Sequence, residues 1–304
     1  MSGHSPLSSQ QLDSFISQHR LPGKYRTLID DYFSPLAAWL TVKRGASGTL
    51  LVGVSGAQGT GKSTLAEFLR LAIEVISGWR VVVLSLDDFY LTKKDRVRLS
   101  KRVHPLLETR GVPGTHDLSL LSTCIEDLKR LNAEQEMQIP RFDKSIDDRL
   151  DSGDWPVISG PVDVIILEGW CVGSAAQSGD TLSTAINSLE EEQDPSVEWR
   201  QFVNAQLAGE YATLFKKLDA LVFLRAPNFD AVNRWRFEQE ENLAAATGVS
   251  AAGVMNKSQI TRFIQHFERI STENLATLPD IADVVLDLDE NHDCIRIRYA
   301  ESLL

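Results

Sequence analysis

A glycine-rich turn between an apolar run and an amphipathic segment constrains the fold of this 304-residue chain more than any other feature. The apolar run of residues 50–55 leads into Gly56-x-x-x-x-Gly61-Lys62-Ser63, and the segment that follows has apolar residues at helical spacing. This order of strand, turn and helix is the context in which such a motif binds phosphate, because glycines let backbone N–H groups turn inward around phosphate oxygens. The sequence therefore predicts a nucleotide site of the P-loop type.

The residues at the end of this motif have separate tasks. Lys62 reaches the β- and γ-phosphates, the Ser63 hydroxyl is offered to Mg²⁺, and the helix N-terminus adds the positive end of its dipole. ATP and Mg²⁺ are therefore the expected cofactors, and the alternative is a glycine-rich turn with a purely structural role. The expected nucleotide-binding residues are Gly56, Ala57, Gln58, Gly59, Thr60, Gly61, Lys62, Ser63 and Thr64.

Charge and cysteine content exclude several classes of protein. The chain has 31 Lys and Arg against 42 Asp and Glu, a net charge of −11, which gives no indication of a nucleic-acid or membrane partner. Its three cysteines form no CxxC pair and are expected to be reduced thiols. No apolar run approaches the ~18 residues of a membrane span, and the N-terminus lacks a signal or transit pattern. We expect a cytoplasmic protein whose partner is a small molecule; the oligomeric state stays open.

The remaining apolar segments predict an α/β fold with a doubly wound, mainly parallel sheet of about five strands flanked by helices. Continuous rather than alternating apolarity is typical of strands that are buried on both faces, as in a parallel sheet. The predicted strands lie at residues 50–55, 81–86, 162–167, 218–224 and 284–288, and the last can form a hairpin with 295–299.

Two carboxylates stand where predicted strands end, beside the glycine-rich turn. Asp87 follows the second strand and Glu168 follows the third. One such carboxylate is needed to hold Mg²⁺, directly or through water, and a second can accept the proton of an attacking hydroxyl. Asp88 is a further candidate for the metal. The alternative interpretation makes these acids helix caps or turn residues.

The connection between the second and third strands is far longer than usual, so we expect it to build an acceptor site, at about residues 88–160. It is locally basic, which suits an anionic small substrate, although a solvated helix face is the simpler explanation for most of its cations. Residues 110–117 and 140–145 combine Gly or Pro with charged side chains. Residues 1–48 are expected to form a helical extension packed on the core, residues 49–304 the P-loop domain, and residues 174–194 a solvated insert.

Together these pieces resemble the P-loop D-glycerate 3-kinase family, and more distantly the pantothenate, uridine and phosphoribulose kinases. The resemblance implies that the chain phosphorylates the hydroxyl of a small carboxylate with ATP, converting D-glycerate to 3-phosphoglycerate. Phe142 stands where a tyrosine is common in the family, so any role of that phenol hydroxyl is absent. The matching segments are Gly56–Ser63, Ser85–Tyr90, Arg110–Asp117, Pro140–Ser145, Glu168–Gly173 and Trp235–Glu240.

The resemblance also implies roles for individual residues. Asp87 is then the general base, and the Mg²⁺ ligands are Ser63, Glu168 and Asp88. The catalytic set also contains Lys62 and two arginines, Arg234 and Arg236, on a lid at about residues 228–247. On spacing alone these two arginines could equally belong to a salt-bridged exposed helix. The candidates for holding the acceptor are Arg110, His116, Asp117, Lys144 and Arg149.

Three other functions compete with this interpretation. A related kinase would act on pantothenate or a nucleoside, although the basic, Gly- and Pro-rich acceptor region favours a small carboxylate. A GTPase would need Asn-Lys-x-Asp to read guanine, but residues 256–259 end in Gln259 where that acid belongs. A nucleotide-binding regulator without catalysis would not need Lys62, Ser63, Asp87 and Glu168 together.

Overall fold

A six-stranded sheet forms the centre of the molecule, as seen in a computed structural model that describes residues 5–45, 48–247 and 256–300. The strands are, in chain order, β1 (Leu50–Gly56), β2 (Val81–Ser85), β3 (Glu136–Gln138), β4 (Phe142–Asp143), β5 (Asp148–Arg149), β6 (Val157–Ser159), β7 (Val164–Gly169), β8 (Ala220–Arg225), β9 (Val284–Leu288) and β10 (Cys294–Tyr299). The central sheet has the order β10-β9-β8-β1-β7-β2 and is parallel except for β10, which confirms the predicted mainly parallel sheet and its hairpin.

Helices cover both faces of this sheet. They are α1 (Ser9–Gln18), α2 (Tyr25–Leu28), α3 (Ser34–Arg44), α4 (Lys62–Ser77), α5 (Lys93–Arg102), α6 (Leu118–Arg130), α7 (Gly179–Leu182), α8 (Ser188–Gln193), α9 (Glu198–Gln206), α10 (Ala212–Phe215), α11 (Phe229–Thr247) and α12 (Lys257–Ile281). In α11 the side chains of residues 240 and 242–247, part of the predicted lid, lie outside the described set, as do Ala46 and Ser47 at the predicted domain boundary. No helix in the described ranges combines the length and apolarity needed to cross a membrane.

Strand register brings the polar residues of interest to one edge of the sheet. β1 pairs with β7 on one side and β8 on the other, and all three are almost completely buried. Because parallel strands end at the same edge, the P-loop after β1 lies beside the ends of β2 and β7. Val54 is the partner of Glu168 in this register, and Ser85 pairs with Glu168 from the other side.

The N-terminal helices cover one face of the sheet together with α4. Phe15 of α1 and the nearby Phe33 both contact Phe68 of α4, with ring centroids 5.8 Å apart in each pair. Leu36 and Leu40 of α3 are completely buried in the same apolar cluster. Residues from 5 onward therefore contribute directly to the core that supports the P-loop helix.

Residues 174–194 are only in part the solvated insert that we expected, since many are exposed but several are buried. They contain α7 and α8, and Glu190 and Asp194 are completely buried. Arg269 of α12 donates to Glu190 with an N–O distance of 2.6 Å, and Arg200 of α9 donates to Asp194 at 2.9 Å. Glu191 and Glu192 of the acidic run are exposed as expected, but Glu190 is paired with Arg200 and Arg269, 10 and 79 positions away. Buried charges are tolerated when they are paired in this way.

All three cysteines, Cys124, Cys171 and Cys294, are buried and form no disulfide. The arrangement agrees with the expectation of unpaired thiols. Burial raises the pKa of the Cys124 thiol to about 12, which suppresses the reactive thiolate form.

Candidate active site

The glycine-rich turn forms an open cradle at the start of α4. Gly59 and Gly61 have φ angles of +83° and +86°, which only glycine adopts without strain. The Thr60 hydroxyl donates to the Ala57 carbonyl at 2.9 Å and closes the turn. α4 begins at Lys62, and no side chain caps its N-terminus. Its first N–H groups thus point to where phosphate oxygens would bind, with the helix dipole in the favourable sense.

Ser63 and Glu168 come together at the end of β7. The Ser63 hydroxyl donates to Oε1 of Glu168 at 3.2 Å. Glu168 is only 5 % exposed, and its Oε2 atom has no hydrogen-bond partner in the described part of the chain. An unpaired buried carboxylate oxygen is costly, so this pair fits a cation. Mg²⁺ is usually bound by one or two protein groups plus phosphate oxygens. The described residues contain no group of three or more His, Cys, Asp and Glu that could hold a metal unaided.

Asp87 lies in a short 3₁₀ helix, Leu86–Phe89, that follows β2. Side chains three residues apart eclipse each other in such a helix, and the Tyr90 hydroxyl donates to Asp87 Oδ1 at 2.8 Å. The ammonium of Lys144 lies 2.7 Å from Oδ2. Burial alone would raise the pKa of this carboxyl, but Lys144, Lys62 and the Tyr90 hydroxyl lower it to about 2. Asp87 is therefore a carboxylate at any ordinary pH.

Asp88, which we expected to bind Mg²⁺, faces a different set of partners. Its Oδ2 accepts from Arg141 at 2.7 Å and its Oδ1 accepts from the Phe142 N–H at 3.1 Å. Burial and the neighbouring Asp87 charge outweigh these contacts and raise its pKa. Both oxygens are thus engaged in holding the start of the β4–β5 hairpin, so Mg²⁺ would have to compete with these partners, and Asp88 as a metal ligand stays a prediction.

The β4–β5 hairpin brings one expected acceptor residue to Asp87 and another to the backbone of Tyr90. Lys144, 60 % exposed at the hairpin tip, contacts Asp87 directly. Arg149 donates to the Tyr90 carbonyl at 2.8 Å and to Asp117 at 3.2 Å, and its Nε has no partner among the described residues. Asp117 also caps α6 by accepting from the Leu120 N–H at 3.0 Å. Asp117 consequently orients Arg149, whereas Lys144 and Arg149 retain donor capacity for a ligand.

Arg110 lies on the other side of the hairpin. It forms an ion pair with Asp147, which also pairs with the buried Arg96 at 3.0 Å. The guanidinium groups of Arg110 and Arg96 both lie over the ring of Phe142. In this arrangement Arg110 braces the hairpin tip.

His116 is buried behind Tyr90, with its ring stacked on the Tyr90 ring at 4.6 Å. Its Nδ1 lies 2.6 Å from the Tyr211 hydroxyl, and burial lowers its pKa to about 4, so the ring is neutral at pH 7. The Nε2 atom has no partner within the described ranges. The ring also borders a cleft of about 410 Å³ beside α5. His116 thus packs against Tyr90 and helps to position the Tyr90 hydroxyl that donates to Asp87.

The predicted lid begins with a fixed segment. Trp235 of α11 is 1 % exposed, and its indole N–H donates to the Glu290 carbonyl at 3.1 Å. Arg234 forms an ion pair with Glu290, and Arg236 lies over the ring of Phe263. Closure of α11 over a bound nucleotide would therefore have to break these contacts or bend the helix beyond them.

Two residues of this site have no role in the sequence analysis above. Tyr90 was part of a matching segment, and its spacing of three from Asp87 could have indicated the contact. His292, in the β9–β10 turn, donates from Nδ1 to the Gly59 carbonyl at 3.0 Å. No local signal points to it, because the two residues are 233 positions apart.

Comparison with known proteins identifies the family. The uncharacterized kinase mug58 of Schizosaccharomyces pombe is 33 % identical over 252 residues, which span 78 % of this chain and 87 % of that protein. The chloroplastic D-glycerate 3-kinase of Arabidopsis thaliana is 32 % identical over 81 % of this chain, and the match spans 54 % of its own length. The chain belongs to the D-glycerate 3-kinase family. No protein-family model matches the sequence.

Solved structures agree with this membership of the D-glycerate 3-kinase family. D-glycerate 3-kinase from Cryptococcus neoformans superposes with a TM-score of 0.74 and 28 % identity, covering 89 % of this chain and 99 % of that one. The structure of the YGR205w protein superposes with a TM-score of 0.66 and 25 % identity, covering 95 % and 99 %. The resemblance seen in the sequence is confirmed, and the chain is an ATP-dependent kinase of the P-loop fold.

Proposed function

We propose that this protein transfers the γ-phosphoryl group of ATP to a hydroxyl of D-glycerate and forms 3-phosphoglycerate. The observation that carries the proposal is the contact between Asp87 and Lys144, 2.7 Å apart beside the P-loop. Asp87 can accept the proton of a hydroxyl, and Lys144 can bind a carboxylate. Their proximity suits an acceptor whose hydroxyl and carboxylate are a few bonds apart. Two relatives described above carry the name D-glycerate 3-kinase.

Each chemical task has a candidate residue. The P-loop and Lys62 hold the triphosphate, and Ser63 with Glu168 would hold Mg²⁺, which neutralises charge on the phosphate oxygens. Asp87 accepts the proton of the attacking hydroxyl, and Lys144 with Arg149 binds the acceptor carboxylate. Arg234 and Arg236 stabilise the transferring phosphoryl group once α11 closes. The cytoplasm remains the expected compartment.

A coupled assay of ADP release across several acceptors tests the proposal. The panel contains D-glycerate, L-glycerate, pantothenate, uridine and ribulose 5-phosphate, each with ATP and Mg²⁺. We expect D-glycerate to give a kcat/KM at least 100-fold above every other acceptor. The Lys62→Ala variant serves as the control for contaminating kinase activity. Faster turnover of pantothenate or uridine would identify that acceptor as the substrate in place of D-glycerate. No turnover of any acceptor would favour a nucleotide-binding regulator.

A further inference from the structure

The β9–β10 turn contacts the P-loop at a point that the proposed chemistry does not use. His292 Nδ1 lies 3.0 Å from the carbonyl oxygen of Gly59. A carbonyl oxygen can only accept, so Nδ1 carries the hydrogen in either the neutral or the charged ring. The other ring nitrogen, Nε2, lies 3.6 Å from a carboxylate oxygen of Glu238 in α11. The imidazole thus connects the P-loop to the predicted lid helix.

Gly59 is held on a second side by α11. The His292 ring stacks on the Trp235 ring with centroids 4.1 Å apart, and a Cβ added to Gly59 would lie 2.9 Å from the Trp235 Cβ. That distance is too short for real carbon atoms, so glycine is required here for space as well as for its positive φ. P-loop, α11 and the C-terminal hairpin therefore meet at one peptide.

The turn that presents His292 is itself tightly built. The Asp289 side chain accepts from the N–H groups of Asn291 at 2.8 Å and Asp293 at 3.0 Å. His292 adopts a φ of +64°, a conformation that few non-glycine residues tolerate, although His and Asn do so more often than most. The neighbouring Glu290 carbonyl accepts from Trp235. The imidazole is consequently held in place before any ligand binds.

The contact matters because of the peptide that it fixes. Glycine populates positive and negative φ about equally, so the peptide between Gly59 and Thr60 could rotate at little cost. A rotated peptide would point its carbonyl oxygen toward the phosphates and repel them. In the structure both ends are held, since His292 donates to the carbonyl and the Thr60 N–H donates to the Ala57 carbonyl at 3.3 Å.

We propose that His292 is a positioning residue of the triphosphate site. Its Nδ1–H keeps the Gly59 carbonyl directed away from the phosphate cradle, and its stack on Trp235 ties that orientation to α11. The proposal rests on the nucleotide half of the proposed function and is independent of which acceptor the enzyme uses.

Two variants separate the hydrogen bond from the ring. His292→Gly removes the donor and the ring without straining a positive φ. His292→Asn keeps a donor the same number of bonds from the backbone, tolerates the positive φ, and lacks the ring. The matched control is Ile295→Ala, which changes an exposed side chain on the same hairpin.

The primary measurement is ATP affinity by titration calorimetry, with no acceptor present. Loss of one hydrogen bond should weaken ATP binding roughly 3–10-fold in His292→Gly, while His292→Asn and Ile295→Ala stay within about 2-fold of the wild type. In the ligand-free protein, hydrogen exchange of the P-loop amides should accelerate in His292→Gly and not in His292→Asn. If His292 served only the stability of the hairpin, its substitution would lower the Tm without changing the ATP affinity or the hydrogen exchange of the P-loop amides.

Two outcomes would overturn the proposal. Wild-type affinity in His292→Gly would show that the P-loop needs no support from the hairpin. Equal weakening in the Asn and Gly variants would assign the effect to the ring and not to the donor. A wild-type protein that fails to bind ATP at all would instead contradict the proposed function, so the two failures are distinguishable.

Discussion

At the scale of single residues, two adjacent acids have different partners because of the turn that holds them. Alternation along a strand would send adjacent side chains in different directions, but β2 ends at Ser85 and both acids lie in the 3₁₀ helix. Asp87 faces Lys144 and Tyr90, whereas Asp88 faces Arg141. The different roles expected of the two acids stay predictions, and the sequence did not indicate the turn that separates their partners.

Lys144 provides a test at this scale. Lys144→Met keeps most of the length of the unbranched side chain and removes the charge that would bind the acceptor carboxylate. We expect the KM for D-glycerate to rise about 10–100-fold, as for loss of a hydrogen bond to a charged group, with a smaller change in the KM for ATP. The pKa of Asp87 should also rise, because Lys144 is the main group that lowers it.

Steady-state kinetics with each substrate varied in turn measures the KM for D-glycerate and the KM for ATP separately. Lys94→Met is the matched control, since Lys94 is exposed on α5. An unchanged KM for D-glycerate in Lys144→Met would remove Lys144 from the acceptor site.

At the scale of elements, the buried acid of α8, Glu190, is expected to contribute strongly to stability. Glu190 is completely buried and accepts from Arg269 and Arg200. Glu190→Gln leaves two buried guanidinium groups without full compensation, so we expect the free energy of unfolding to fall by about 3–5 kcal/mol. Glu191→Gln, at an exposed position next to it, should change stability by less than about 0.5 kcal/mol. Urea denaturation measures the free energy of unfolding of both variants. Equal, small effects would mean that the buried ion pairs of Glu190 add nothing to stability.

The existence of the strands was predicted from the sequence more completely than their order in the sheet. Buried parallel strands such as β1 and β7 appear in the sequence as short apolar runs, so their existence and their acidic ends could be predicted. Their order could not, because the placement of β7 between β1 and β2 depends on packing across the whole chain. The same limit hid the pairing of Glu190 with Arg269 and the contact of His292 with the P-loop, which join residues 79 and 233 positions apart.

At the scale of the whole molecule, a buried histidine makes stability depend on pH. Burial lowers the pKa of His266 to about 4, from an ordinary value near 6.5. Between these values the unfolded chain binds a proton that the folded one does not, so stability is lost as the pH falls from 6.5 to 4. The expected contribution is about 1.4 kcal/mol per pH unit.

Comparison with His266→Gln isolates this contribution. Plots of unfolding free energy against pH should run parallel for the two proteins from pH 7 to 9. They should converge or cross below pH 6.5, because the variant lacks the titrating group. Parallel plots down to pH 4.5 would show that His266 titrates alike in both states.

The reaction itself is most directly followed by ³¹P NMR of ATP, Mg²⁺ and D-glycerate mixed with the enzyme. We expect the wild type to form ADP and one phosphomonoester, identified as 3-phosphoglycerate. Asp87→Asn keeps the side-chain size but loses the basic oxygen, so product formation should slow by roughly 10²–10⁴-fold while ATP affinity changes little. Asp88→Asn should slow it less. No phosphomonoester from the wild type, or a near-normal rate in Asp87→Asn beside a crippled Asp88→Asn, would contradict the account.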